Sequence, residues 1–245
     1  MFIDEDDPEW RLYPDSDGKP IGDDTLHFEW VTTLAANLMS MYARDPSVFV
    51  AGDLLWYPVK GAPMIRTAPD ALMAFGRPKG DRHSYKQWRE GGVAPQVVFE
   101  NQSQLTTEEE LEQKWEFYNR YGVEEYYFYD CHRVKAAGWL RGGGELRPIA
   151  SMHNWISPRT ALRFDLSGPK LAIHESSGRT LQTFVEAYAA RPLSSEELQG
   201  RRQKEMRLRL ELQVKQGRQE LEAARRRAET LAAKLREGGV DPGAD

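Results

Sequence analysis

Asp70, Glu100 and Lys114 have the residue types and spacing to do chemistry on a phosphate ester. Asp70 stands just before the apolar run Ala71-Leu72-Met73-Ala74-Phe75, and Glu100 follows Val97-Val98-Phe99 and precedes Asn101, Gln102 and Ser103. Apolar runs of this length read as buried strands, so each delivers a carboxylate to the edge of a core. Carboxylates on neighbouring strands repel unless a cation lies between them, and hard oxygen ligands suit Mg2+, with Mn2+ as a substitute. Such an ion polarises a nonbridging phosphoryl oxygen and lowers the pKa of its bound water, while an ammonium stabilises charge growing in the transition state. The set predicts metal-assisted hydrolysis of a phosphodiester. The alternative reading of Lys114 is a solvated helix residue, and acids at strand ends occur in many α/β domains.

The flanking sequence supplies elements to position these groups. Thr25 is placed to cap a helix from about Leu26 to Tyr42, with Trp30, Leu34, Leu38 and Met41 at helical spacing. Glu29 lies near its start, either as a solvated carboxylate favoured by the helix dipole or as a third site carboxylate. Runs at Val48-Phe49-Val50 and Leu54-Leu55-Trp56-Tyr57, then the strand after Asp70, predict an antiparallel meander; Asp53 between the first two, just after Gly52, reads as a turn residue, with a metal ligand as the alternative. Thr106-Thr107-Glu108-Glu109-Glu110 has the form of a capped start for a helix that carries Lys114 and stops at Gly122. A strand over Glu125–Asp130 follows at once, so Val97 to Asp130 is predicted to be a strand, helix and parallel strand with a right-handed crossover. Short runs near 137–140, 146–149 and 162–166 predict an extension of the sheet edge. The fold class is α/β, a mixed sheet flanked by helices.

Between the two acidic strands, the stretch from Gly76 to Gly92 holds Arg77, Lys79, Arg82, Lys86 and Arg89, with Tyr85 and Trp88 interleaved. A basic, aromatic, glycine-rich loop there is a candidate grip for a polyanion such as DNA, the aromatics stacking on bases. The alternative is a surface loop whose aromatic residues fold back on the core.

Composition narrows the classes further. Charged residues make up 29% of the chain and mean hydropathy is -0.67, with no apolar run of membrane-spanning length, and the acidic start lacks a signal-peptide pattern. The expected compartment is the cytoplasm. Cys131 is the sole cysteine, which excludes an intrachain disulfide and a thiolate zinc cluster. The five histidines, His27, His83, His132, His153 and His174, lack metal-ligand spacing, and each reads as an ordinary surface or core residue. Ser103 reads as a turn hydroxyl, and no phosphate-binding loop or dinucleotide fingerprint is present.

The chain divides by composition into an irregular, turn-rich arm over 1–24, a domain over 25–190, a basic helix over 191–237 and a disordered tail over 238–245. Residues 201–237 hold twelve Lys/Arg against six Glu, whereas residues 1–200 carry a net charge of -9. Within the basic segment, Val214, Gly217, Leu221, Ala224, Ala228, Leu231 and Leu235 step by three and four, with Leu210 before them, the seam of a coiled coil. A homodimer or higher oligomer through this helix is expected.

Pro69-Asp70, Val97-Val98-Phe99-Glu100-Asn101-Gln102-Ser103, Lys114 with Tyr118, Gly122-Val123 and Glu125-Tyr126, in this order and spacing, resemble the Uma-type restriction endonucleases of the PD-(D/E)XK nuclease superfamily. The resemblance covers about residues 25–150. It implies a restriction-endonuclease-like mixed sheet, Mg2+ on Asp70 and Glu100, Glu29 completing the site, and DNA as the substrate. The superfamily motif has Lys where this chain has Gln102; Lys114 on the following helix is then the replacement, and Gln102 would orient water or phosphate. Polar Asn101 and Gln102 where members carry apolar residues also open a noncatalytic reading, a DNA-binding or regulatory protein on the same fold. A third reading makes the coiled coil the working part and the globular domain its passenger.

Overall fold

The computed structural model describes residues 12–16, 18, 24–102, 107–192 and 194–237. Most of the arm expected over 1–24, the turn role of Ser103 and the tail over 238–245 lie outside the described residues. Ten strands and four helices are present among them: α1 Thr25–Met41, β1 Val48–Ala51, β2 Trp56–Tyr57, β3 Ala71–Phe75, β4 Tyr85–Lys86, β5 Val97–Gln102, α2 Glu108–Tyr121, β6 Glu125–Asp130, β7 Lys135–Gly142, β8 Glu145–Pro148, β9 Arg163–Asp165, β10 Ala172–His174, α3 Phe184–Ala190 and α4 Ser195–Glu237. They form two units, one ending at Ala189 and the other starting at Ala190. Among the described residues no helix is long and apolar enough to cross a membrane.

The first unit is built on a six-stranded mixed sheet in the order β1-β3-β5-β6-β7-β8. Its centre is the strand, helix and strand expected from sequence: β5 and β6 pair in parallel, Val97 opposite Glu125 through Gln102 opposite Asp130, with α2 between them in the chain. Parallel neighbours cannot be joined by a tight turn, so the connection must cross a face of the sheet. Both faces of β5 are covered, and Val97, Val98 and Phe99 are buried in unbroken succession. Val97 and Phe99 pack with Leu34 and Leu38 of α1, and with Phe164 and Ile173 of the separate β9–β10 pair. Val98 packs on the other face with Tyr118 and Tyr126.

Three local expectations are corrected. The meander is interrupted, because β1 pairs directly with β3 while β2 leaves the sheet to pair in parallel with β4. The 162–166 run likewise does not extend the main edge: β9 pairs with β10, and only β7 and β8 continue the sheet. Asp24, not Thr25, caps α1, its Oδ1 accepting the His27 N–H at 2.9 Å, so the helix begins one residue earlier than expected.

The sequence of α2 fixes both of its ends. Thr107 and Glu110 form a reciprocal capping box, and Gly122 ends the helix in the left-handed region at φ 97°. Lys114 and Tyr118 are four residues apart and therefore share a face, one turn apart. Thr107→Ala is expected to lower the stability of the first unit by about 1 kcal/mol, read as a lower urea midpoint at constant m-value. An unchanged midpoint would show that the capping box does not hold this helix.

Candidate active site

Antiparallel pairing of β3 with β5 sets Ala71 opposite Phe99. One step beyond, the same register brings Asp70 opposite Glu100, and in a strand residues two apart share a face. Asp70 thus lies on the side of Leu72, and Glu100 on the side of Val98, the face that packs with Tyr118 of α2. The two carboxylates read from separate stretches of sequence are cross-strand neighbours on one face.

Glu100 is almost wholly buried, its side chain 1% exposed. Lys114 Nζ donates to its Oε2 at 2.7 Å, and the Tyr118 hydroxyl donates to Oε1. Burial pushes the Glu100 carboxyl up to about 6; the Lys114 ammonium opposes that rise and the charge of Asp70 adds to it. Burial works against the Lys114 ammonium, but the charges of Glu100 and Asp70 outweigh it and raise its pKa. Tyr118 is held neutral, its pKa raised well above the ordinary value by burial and by Glu100.

Asp70 is held from the other side. Its Oδ2 accepts the Asn101 backbone N–H at 2.6 Å and lies 3.2 Å from His27 Nε2. Among the described residues Oδ1 takes no hydrogen bond. His27 reaches this position because Asp24 does two jobs: Oδ1 caps α1 and Oδ2 meets His132 Nε2 at 2.9 Å, which ties the helix start to the turn after β6. Sequence reasoning treated His27 as ordinary. Its signal was local, a histidine three residues after a capping Asp and so on the first turn of a helix that packs on the sheet.

Glu29 is not part of this cluster. Two residues along a helix rotate the side chain by about 200°, and Glu29 faces a separate cavity of about 240 Å³ shared with Trp30 and Lys170, its carboxylate 53% exposed and 3.8 Å from Lys170 Nζ. His27, rather than Glu29, is the α1 residue at Asp70. Gln102 lies on the Glu100 face at the end of β5, where strand alternation requires.

The basic loop divides. Arg77 and Lys79 follow the far end of β3, five residues and about 17 Å of strand from Asp70. Arg77 donates to the Glu90 carbonyl at 2.8 Å, and Lys79 to the Tyr42 carbonyl at 2.6 Å. Arg82 is paired with Glu90 at 2.7 Å, both side chains 12% exposed, and its guanidinium lies over the Phe49 ring. These three side chains hold the loop to the body. Lys86 Nζ lies 5.3 Å from the centre of the Tyr13 ring, and Trp88 packs against that same ring. Arg89 follows in a turn whose N–H bonds the Lys86 carbonyl. Lys86 lies on β4, opposite Tyr57 of β2, and this part of the loop packs with Tyr13, Leu55 and Tyr57 in a cluster separate from the one that holds Tyr118.

A second buried carboxylate shows what a purely structural one looks like. Glu125 lies at the opposite end of the β5–β6 pair, where Tyr127, Ser157 and the Arg159 backbone N–H all donate to it. It is fully satisfied by neutral donors and has no cationic side chain in that set.

Among the described residues no group of three or more His, Cys, Asp or Glu side chains is placed to share a metal ion. A closed zinc site does not fit. Mg2+ does, because it binds through one or two carboxylates and keeps waters or phosphate oxygens for its other positions. The unbonded Asp70 Oδ1 and the anionic form of Glu100 are hard ligands of that kind.

Residues 4–174 match the Uma2 family, described as "Putative restriction endonuclease". Among solved structures the chain is similar to "a putative nuclease belonging to DUF820" from Anabaena variabilis, at 10% identity and a TM-score of 0.41, over 55% of this chain and 72% of that one. A comparison with curated proteins gives no match.

Glu100 titrates higher in the folded than in the unfolded chain, so its contribution to stability is fully present below the ordinary 4.5 and is lost as pH rises through about 6. The stability of wild type minus that of Glu100→Gln should therefore fall by on the order of 2 kcal/mol between pH 4.5 and 7, measured by denaturant unfolding. A difference that rises over this range would contradict the burial of Glu100.

Proposed function

Because the chain belongs to the Uma2 family of restriction-endonuclease-like proteins, we propose that it is a cytoplasmic endonuclease that hydrolyses DNA phosphodiesters at Asp70 and Glu100 with Mg2+ or Mn2+. The observation that carries this reading is the buried Glu100, engaged by Lys114 and Tyr118 on the face it shares with Asp70. A bound ion would supply charge at a nonbridging oxygen and a water of lowered pKa. Asp70 and Glu100 hold the ion, and the Asn101 N–H and His27 fix the Asp70 carboxylate.

Lys114 supplies the positive charge that the motif position, here Gln102, lacks. An amide can orient a water or a phosphate oxygen through one donor and one acceptor, but it cannot neutralise an anion. Charge stabilisation therefore falls to Lys114, whose ammonium is already at the carboxylate. Tyr118 keeps Glu100 in place and stays protonated while doing so. For the DNA we assign contacts to the basic loop that carries Arg77, Lys79, Arg82, Lys86, Trp88 and Arg89, with the hydrogen bonds of Arg77, Lys79 and Arg82 to the body fixing its shape. A second copy of the chain, paired through α4, is the partner that would bring two sites to the two strands of a duplex.

The test is incubation with supercoiled plasmid at one defined salt concentration, with Mg2+ or Mn2+ and with chelator. Wild type should nick or linearise the plasmid only with metal, and Asp70→Asn, Glu100→Gln and Lys114→Ala should each slow cleavage by about 100-fold or more. Cleavage that survives chelator, or that Glu100→Gln leaves undiminished, would overturn the assignment. Retention of DNA by a folded wild type that never cuts it would favour the noncatalytic reading to which Gln102 points.

A further inference from the structure

Helix α4 carries an apolar face that its own unit leaves open. Leu210, Val214 and Leu221 are each more than half exposed over a helix of 43 residues. Their spacing is regular. Leu210, Val214, Gly217, Leu221, Ala224 and Ala228 step alternately by four and three, and the same alternation continues in sequence to Leu231 and Leu235. A repeat of 3.5 residues sustained over more than three heptads keeps one stripe facing one partner helix along its length. We propose that α4 pairs with α4 of a second copy of this chain as a parallel, in-register, two-stranded coiled coil.

The flanking charges select the orientation. With Val214, Leu221 and Ala228 at the first core position of the heptad and Leu210, Gly217 and Ala224 at the fourth, Glu220 and Arg225 occupy the two flanking positions that meet across a parallel pair. Glu220 of each copy then faces Arg225 of the other, twice by symmetry. The remaining flanking pairs, Gln213 with Arg218 and Arg227 with Ala232, contain no like charges. In the antiparallel register that aligns the whole seam, Leu221 meets Ala224 and Arg218 comes to face Arg225, again twice. Parallel pairing gains two attractions and meets no repulsion among these positions, whereas antiparallel pairing sets two repulsions against two attractions of Glu220 for Arg227, which leaves no net gain. Gly217, Ala224 and Ala228 let the helices approach closely but bury little area, so the pairing should depend on protein concentration.

This pairing deepens the partner named for the nuclease but rests on the helix alone, and its test involves no DNA or metal. In the full chain with Cys131→Ser, the mass should approach that of a dimer in sedimentation equilibrium as concentration rises, and Leu221→Glu should return it to a monomer. Leu210→Cys in the same background should form an interchain disulfide on mild oxidation, because parallel strands bring the two residues 210 together. In the antiparallel register they would lie about 37 Å apart. Arg225→Glu should raise the dissociation constant several-fold, and Glu220→Arg added to it should restore the wild-type value. A monomer at every concentration, or a dimer that Leu221→Glu leaves intact, would overturn the pairing. A dimer that does not cross-link through Leu210→Cys would overturn its orientation.

Discussion

A carboxylate taken out of water must be compensated, and the first unit is arranged around that requirement at Glu100. Its side chain is 1% exposed at the centre of a sheet covered on both faces. The isolated cost of burying such a charge far exceeds the net stability of a domain, so donors and a countercharge must be in place when the chain folds. Lys114 and Tyr118 provide them, which requires a helix over this strand with those two residues on the inner face. The parallel β5–β6 pair needs a connection that crosses a face of the sheet, and α2 lies in that connection. The capping box and Gly122 then set where the helix starts and stops. What looks like a local ion pair is thus tied to the topology of the central crossover.

The same constraint separates a reactive carboxylate from a structural one. Glu125 is as deeply buried, but the neutral donors of Tyr127 and Ser157 and the Arg159 backbone N–H satisfy it. Glu100 instead shares its surroundings with a second carboxylate, which raises its proton affinity further, and with an ammonium, which opposes that rise. Such a balance is altered by an added cation. A carboxylate satisfied by neutral hydrogen bonds has no comparable reason to accept one.

The parts of this arrangement that depend on period and punctuation were legible in the sequence. The central strand, the capped helix that carries Lys114, Gly122 at its end and the parallel return strand all follow from local pattern, whereas the turn of Lys114 and Tyr118 together onto Glu100 is seen only in the fold. The misreadings came where tertiary pairing decides. Nothing in Trp56-Tyr57 tells that this pair leaves the main sheet for β4, and the short run at 162–166 finds its partner in β10. At α1 the error was one of angle: Glu29 was expected at the metal from the family resemblance, but the helix turns it away and presents His27. The anchoring of the basic loop could not be read from composition, since the protein acceptors of Arg77, Lys79 and Arg82 are supplied only by the folded loop.

We propose one cation site on Asp70 and Glu100 although 30 positions separate them in sequence. Calorimetric titration of Mn2+ into the folded wild type, Asp70→Asn and Glu100→Gln, at one pH above 7 and one salt concentration, tests it most directly. One saturable ion per chain in wild type, lost in either variant while both remain folded, is the predicted result. Saturable binding that persists in both variants, or its absence from folded wild type, would contradict the account.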